Sequence, residues 1–87
     1  MAKTKTILKP FHATDRWKLY HGMALDVLPH IPDQSVDAII SDPPYPEVSR
    51  HYGRMSEDDW HVLMDGVVDH SMRVLKPNGS AVFILQP

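Results

Sequence analysis

The chain has 87 residues, 43% of them hydrophobic and 23% charged, with a formal net charge of −2 and no cysteine. This length accommodates one small domain, the composition is globular rather than disordered, and the lack of cysteine excludes a disulfide scaffold and a thiolate metal site. A near-neutral charge argues against indiscriminate nucleic-acid binding. The basic start MAKTKTILKP leads into no apolar core of signal length, and no apolar run reaches membrane-spanning length. A soluble, cytoplasmic protein is the expectation, since a cysteine-free chain fits a reducing compartment.

In chain order, residues 1–16 read as a basic tail, with Lys3, Lys5, Lys9 and Arg16 against the single acid Asp15. WKLYH, 17–21, is aromatic-rich and stops at Gly22, which predicts a short strand. ALDVLPHI, 24–31, places Ala24, Leu25, Leu28 and Ile31 at helical spacing and is cut short by Pro29 and Pro32. PDQS then turns the chain into VDAIIS, 36–41, a strand expected to bury Val36, Ile39 and Ile40. The stretch SDPPYPEVSR follows, and residues 47–54, EVSRHYGR, read either as an ordinary loop or as a lid over a site.

The longest predicted element is a helix capped by Ser56, with Glu57, Asp58 and Asp59 suited to its positive N-terminal end. Trp60, Leu63, Met64, Val67, Val68, Met72 and Leu75 form its apolar stripe. Gly66 costs about 1 kcal/mol against alanine in a helix interior, which suggests a close approach of the sheet there. KPNG, 76–79, ends the helix, and SAVFILQ, 80–86, is a β-branched and aromatic strand. Strand, long helix, strand is a βαβ unit, so the last two strands should lie parallel and the fold should be α/β.

That topology gives DPPY its significance. Proline fixes φ, lacks a backbone donor and restricts the residue before it, so two in succession make a stiff loop. This one begins where the strand of residues 36–41 ends, and open α/β sheets bind ligands beyond the carboxyl ends of their strands. Asp42 offers two acceptor oxygens and the carbonyl of Pro43 a third, while Tyr45 offers a flat face. Two acceptors beside an aromatic platform suit a planar ring bearing an exocyclic NH2, such as adenine or cytosine. Accepting the hydrogens of that amine draws its nitrogen toward a tetrahedral shape and frees its lone pair for attack. Stacking on Tyr45 would hold a base taken out of the duplex.

The stretch LYHGMALDVLPHIPDQSVDAIISDPPY resembles the opening of the DNA amino-methyltransferases that modify N6 of adenine or N4 of cytosine, and VLKPNGSAVFIL resembles a later helix end and strand of the same fold. The resemblance implies a partial Rossmann-like fold dependent on S-adenosylmethionine, with residues 17–87 as the N-terminal part of the catalytic domain. It implies that Asp42 and the Pro43 carbonyl accept from the target amine, that Pro44 keeps the turn rigid and that Tyr45 stacks on the flipped base. Asp rather than Ser at the first motif position favours adenine. Double-stranded DNA would be the partner, with Arg50 and Arg54 candidates for its phosphates, and a cognate restriction endonuclease would be a further one.

Two departures from the family pattern stand out. The residue after the strand glycine, often acidic in the family and in contact with the adenosine part of the cofactor, is Met23, and Asp26 one turn later is a speculative substitute. The Phe-x-Gly-x-Gly cofactor loop is absent, all four glycines being isolated. The circularly permuted subgroup, in which the target-amine motif precedes the cofactor loop, accounts for that absence if the chain is a truncated methyltransferase. A non-catalytic remnant, or a small binding protein that kept the fold, is the alternative. His61, Asp65 and Asp69 share a helix face, but a solvated polar face explains that spacing without a metal.

Overall fold

In the computed structural model, which describes residues 8–49 and 53–85, the elements run β1 (His12–Ala13), β2 (Lys18–Leu19), α1 (Ala24–Val27), β3 (Val36–Ser41), α2 (Glu57–Val74) and β4 (Leu75–Phe83). A single 3-10 turn, Leu28–His30, continues α1. Pro29 falls inside that turn, so the ring that removes a helical donor confines α1 to four residues.

Part of the expected tail is folded. β1 pairs antiparallel with β2, His12 opposite Leu19 and Ala13 opposite Lys18. The turn is closed by Thr14, whose Oγ1 accepts from the main-chain N–H groups of Arg16 and Trp17 at 3.1 and 3.2 Å. Thr14 N–H also donates to the Trp17 carbonyl at 2.8 Å. A threonine that caps a turn with its own hydroxyl gives little signal in a charge-based reading.

β3 and β4 pair in parallel on either side of α2, so the predicted βαβ unit forms. The register runs Ala38 with Ser80, Ile39 with Ala81, Ile40 with Val82 and Ser41 with Phe83, but Val36 sits opposite Leu75. Residues 76–79, KPNG, therefore bulge within β4 instead of forming a separate loop, and the strand starts five residues before the expected Ser80. Leu75 is already extended at φ −69°, ψ 137°, while its N–H still donates to Ser71 O. Gly79 makes the bulge possible. A Cβ there would lie 2.7 Å from Leu75 Cδ2, 3.0 Å from Lys76 O and 3.1 Å from Asp37 O. Lys76 Nζ meets Asp37 Oδ1 at 3.0 Å across the same irregularity.

Ser56 caps α2 as expected, its Oγ accepting from Asp59 N–H at 3.1 Å. The buried face of α2 differs from the predicted stripe. Met64, Ser71 and Val74 are buried, whereas Met72 is 73% exposed. The difference is polar compensation: Ser71 Oγ donates to Val67 O at 2.7 Å, which satisfies the hydroxyl inside the helix and lets a polar residue occupy a core position. Gly66 faces Leu25 of α1, not the sheet, with Leu25 Cδ2 only 2.8 Å from where a Cβ would stand.

Ile40 corrects another expectation. Val36 and Ile39 are half-buried, but Ile40 is 78% exposed and its partner Val82 55%. Successive strand side chains point to opposite faces, and α2 covers only one of them. Arg73 ties the far end of α2 to the turn after α1: its Nη1 donates to Ile31 O at 2.7 Å and Asp33 Oδ1 at 2.6 Å, and its Nη2 to Leu28 O at 2.8 Å. The ladders β1–β2 and β3–β4 remain separate sheets. No described helix is long and apolar enough to cross a membrane.

Candidate active-site loop and neighbouring cleft

DPPY begins directly at the carboxyl end of β3, where Ile84 N–H donates to Ser41 O at 2.9 Å and brings the end of β4 alongside. Asp42 is exposed, while Pro43, Pro44 and Tyr45 are half-buried. Tyr45 Oη donates to Asp42 Oδ1 at 3.3 Å, so the acceptor and the aromatic side chain singled out from the sequence lie side by side. This distance is long for a hydroxyl hydrogen bond, whose usual range is about 2.5–3.0 Å.

The loop is fastened to the start of α2 at two places. The Trp60 indole Nε1–H donates to Pro44 O at 2.6 Å. Pro46 bridges Met55, and Glu47 N–H donates to Met55 O at 2.8 Å. Glu47 adopts φ +60°, which few non-glycine residues do. Its carboxylate accepts from the first helical N–H, that of Glu57, at 3.0 Å, and pairs with Arg54. A carboxylate at a helix N-terminus meets an unpaired donor and the positive end of the helix dipole.

These contacts refine several sequence-based assignments. Arg54, expected at DNA phosphates, is in an ion pair with Glu47. Arg50 lies outside the described residues. Trp60, assigned to the core stripe, is half-buried and spends its indole donor on the motif. His61 Nε2 stands 3.8 Å from Glu57 Oε1, a local pair on the helix surface. Among the described residues, no group of three or more His, Asp or Glu side chains is arranged to hold a metal ion.

Beside the loop lies a cleft of about 530 Å³ lined by Gly22–Ala24 and Pro44 together with Arg54, Met55, Asp59 and Leu63. The volume is in the range of ligand-sized sites, roughly 300–1,000 Å³. Met23, the family departure, lines this cleft, and so does Asp59, whereas Asp26 does not. Sequence reading treated Asp59 as a helix-end charge alone. Nothing in the local pattern places it in one cleft with Met23; α1 and α2 meet where Leu25 approaches Gly66.

Comparison with known proteins bears on the chain as a whole. The chain is 36% identical to the type II methyltransferase M.BamHI of Bacillus amyloliquefaciens over 81 aligned residues, covering 84% of this chain and 18% of that protein. It is 31% identical to the type II methyltransferase M.PvuII of Proteus hauseri over 78, covering 85% of this chain and 22% of that protein. With the type II methyltransferase M.BglII of Bacillus subtilis it shares 33% identity over 63, or 72% of this chain and 18% of that protein. The chain thus spans about a fifth of the length of the curated relatives it matches. No family model and no solved structure matches it. With three type II methyltransferases aligned over most of its residues, the chain is similar to a part of members of the DNA methyltransferase family.

Proposed function

We propose that these residues form the target-amine side of the active site of an S-adenosylmethionine-dependent DNA methyltransferase, acting on adenine N6 in preference to cytosine N4. The observation that carries the reading is the pairing of Asp42 with Tyr45 at the carboxyl end of β3, joined by a hydrogen bond of 3.3 Å. Asp42 and the Pro43 carbonyl accept the two hydrogens of the exocyclic amine, and the ring of Tyr45 stacks on the extruded base. The amine nitrogen, its lone pair no longer shared with the ring, becomes the nucleophile. As it gains the methyl group it loses one proton, for which Asp42 is the nearest acceptor by this arrangement.

The fold under this proposal is Rossmann-like and circularly permuted, with residues 17–87 in the front part of the catalytic domain and the β1 strand packed before them. The cleft beside Pro44 suits the cofactor in size and in its apolar lining by Met23, Met55 and Leu63. When bound, S-adenosylmethionine supplies the electrophilic methyl group. Asp59 is the acid placed on that cleft, where Met23 offers only a thioether. Duplex DNA is the macromolecular substrate. Arg54 reaches a phosphate by exchanging Glu47 for it, and Arg50 adds a second cation. A cognate restriction endonuclease completes the proposal.

Met23 favours a second reading, a non-catalytic remnant of the family. The two are separated by tritiated-methyl transfer to duplex DNA by a full-length version and its Asp42→Ala variant. Loss of the acceptor is expected to lower transfer on the order of 10²-fold or more while cofactor binding persists. Near-normal turnover of Asp42→Ala refutes the assignment, and an inactive full-length protein favours the remnant.

A further inference from the structure

The prolines that stiffen DPPY also deprive it of donors. Neither Pro43 nor Pro44 has an N–H, so this part of the loop cannot fasten itself by donating backbone hydrogen bonds. Its flanks are fixed by Ile84 N–H to Ser41 O at 2.9 Å and by Glu47 N–H to Met55 O at 2.8 Å. Midway between them, a donor from elsewhere in the fold reaches in: Trp60 Nε1–H, 2.6 Å from Pro44 O.

We infer that Trp60 is a positioning residue for the transfer reaction, its indole N–H holding the Pro44 carbonyl so that Asp42 and Tyr45 are presented together. The inference rests on the methyltransferase reading of the loop. Trp60 is well mounted for this task. Its own main-chain N–H donates to Ser56 O at 2.9 Å, in a first turn that Ser56 and Glu47 both cap. Its ring is in T-shaped contact with that of His61, with centroids 5.3 Å apart and planes at 73°. A bulky, two-torsion side chain on a capped helix end is a rigid support, and sites held by rigid elements keep their geometry better than sites held by loops. The hydrogen bond is also the one contact here that a purely apolar core residue would not make. Phenylalanine would fill much of the same space and leave Pro44 O without its partner.

The test compares Trp60→Phe with Val67→Ala in the full-length polypeptide, measuring kcat and KM for S-adenosylmethionine with tritiated methyl transfer, alongside thermal melting. Val67 lies on the same helix seven residues beyond Trp60 and is half-buried. A displaced reacting group costs roughly 10- to 100-fold in rate. Trp60→Phe is therefore expected to lose kcat on that scale with KM for the cofactor within about twofold, whereas Val67→Ala lowers the melting temperature and leaves kcat in place. In the unsubstituted protein the Trp60 indole N–H should exchange with deuterated solvent more slowly than that of Trp17, as measured by NMR. A kcat for Trp60→Phe within twofold of the parent overturns the inference, as does a parallel loss in both variants or equal exchange of the two indoles. The controls keep the two proposals apart. An active parent, an inactive Asp42→Ala and an unaffected Trp60→Phe remove the role of Trp60 alone, while an active Asp42→Ala removes the methyltransferase reading of the loop.

Discussion

Substitution of Tyr45 separates its ring from its hydroxyl, to which the proposed function gives unequal weights. The hydroxyl donates to Asp42 Oδ1 at 3.3 Å, in an exposed setting and beyond the usual range for an O–H···O bond. Such a bond contributes less than about 1 kcal/mol, a factor of about five in rate at most. Its loss also frees an Asp42 oxygen for the target amine, which opposes the penalty. The ring is worth more under the proposed stacking role, since stacking a base on an aromatic side chain contributes roughly 1–3 kcal/mol, or about 5- to 150-fold. Tyr45→Phe is therefore expected to stay within about fivefold of the parent in kcat/KM for DNA, and Tyr45→Ala to fall by one to two orders of magnitude. The assay is initial-rate transfer of tritiated methyl to a duplex containing the recognition site, repeated with a mismatch opposite the target base. A mismatched base costs less to extrude, so the mismatch should restore part of the activity of Tyr45→Ala. If Tyr45→Phe proves as damaging as Tyr45→Ala, the hydroxyl is the working group and the stacking argument fails.

Gly79→Ala should lower the urea midpoint, by the roughly 1–3 kcal/mol typical of overpacking, because the new Cβ would meet two backbone oxygens at 3.0 and 3.1 Å that have little room to yield; an unchanged midpoint would show that the bulge relaxes freely. The 87 residues alone are expected to give no micromolar heat signal with S-adenosylmethionine and a broad melt by circular dichroism. Met64 and Val74 are their only buried apolar side chains among the described residues, while Ile40 and Val82 lie 78% and 55% exposed. Tight binding with a sharp cooperative transition would refute that expectation.

Local chemistry determined much of this protein. Proline in LPH confined α1, Ser56 set the start of α2, and the β-branched residues Val36, Ile39 and Ile40 marked β3, because each of these effects acts within a few residues of its cause. DPPY was legible for the same reason, since its stiffness and its acceptors are properties of the four residues themselves. The sequence also carried the resemblance to DNA methyltransferases through the run leading into that motif. Tertiary structure decided what lies across from what. Trp60 read as a core residue because its period is helical, yet its donor reaches a carbonyl 16 positions earlier in the chain. Glu47 carried no signal at all, since capping a helix that starts ten residues later depends on how the loop folds back. Ile40 looked buried because a parallel strand is normally covered on both faces, but in this structure α2 covers only one face, and β-branched character does not reveal which side that is. Asp59 and Met23 share a cleft although they stand on separate elements, α2 and the entry to α1. Contacts of this kind depend on the relative placement of whole elements, and no periodicity within one element encodes that.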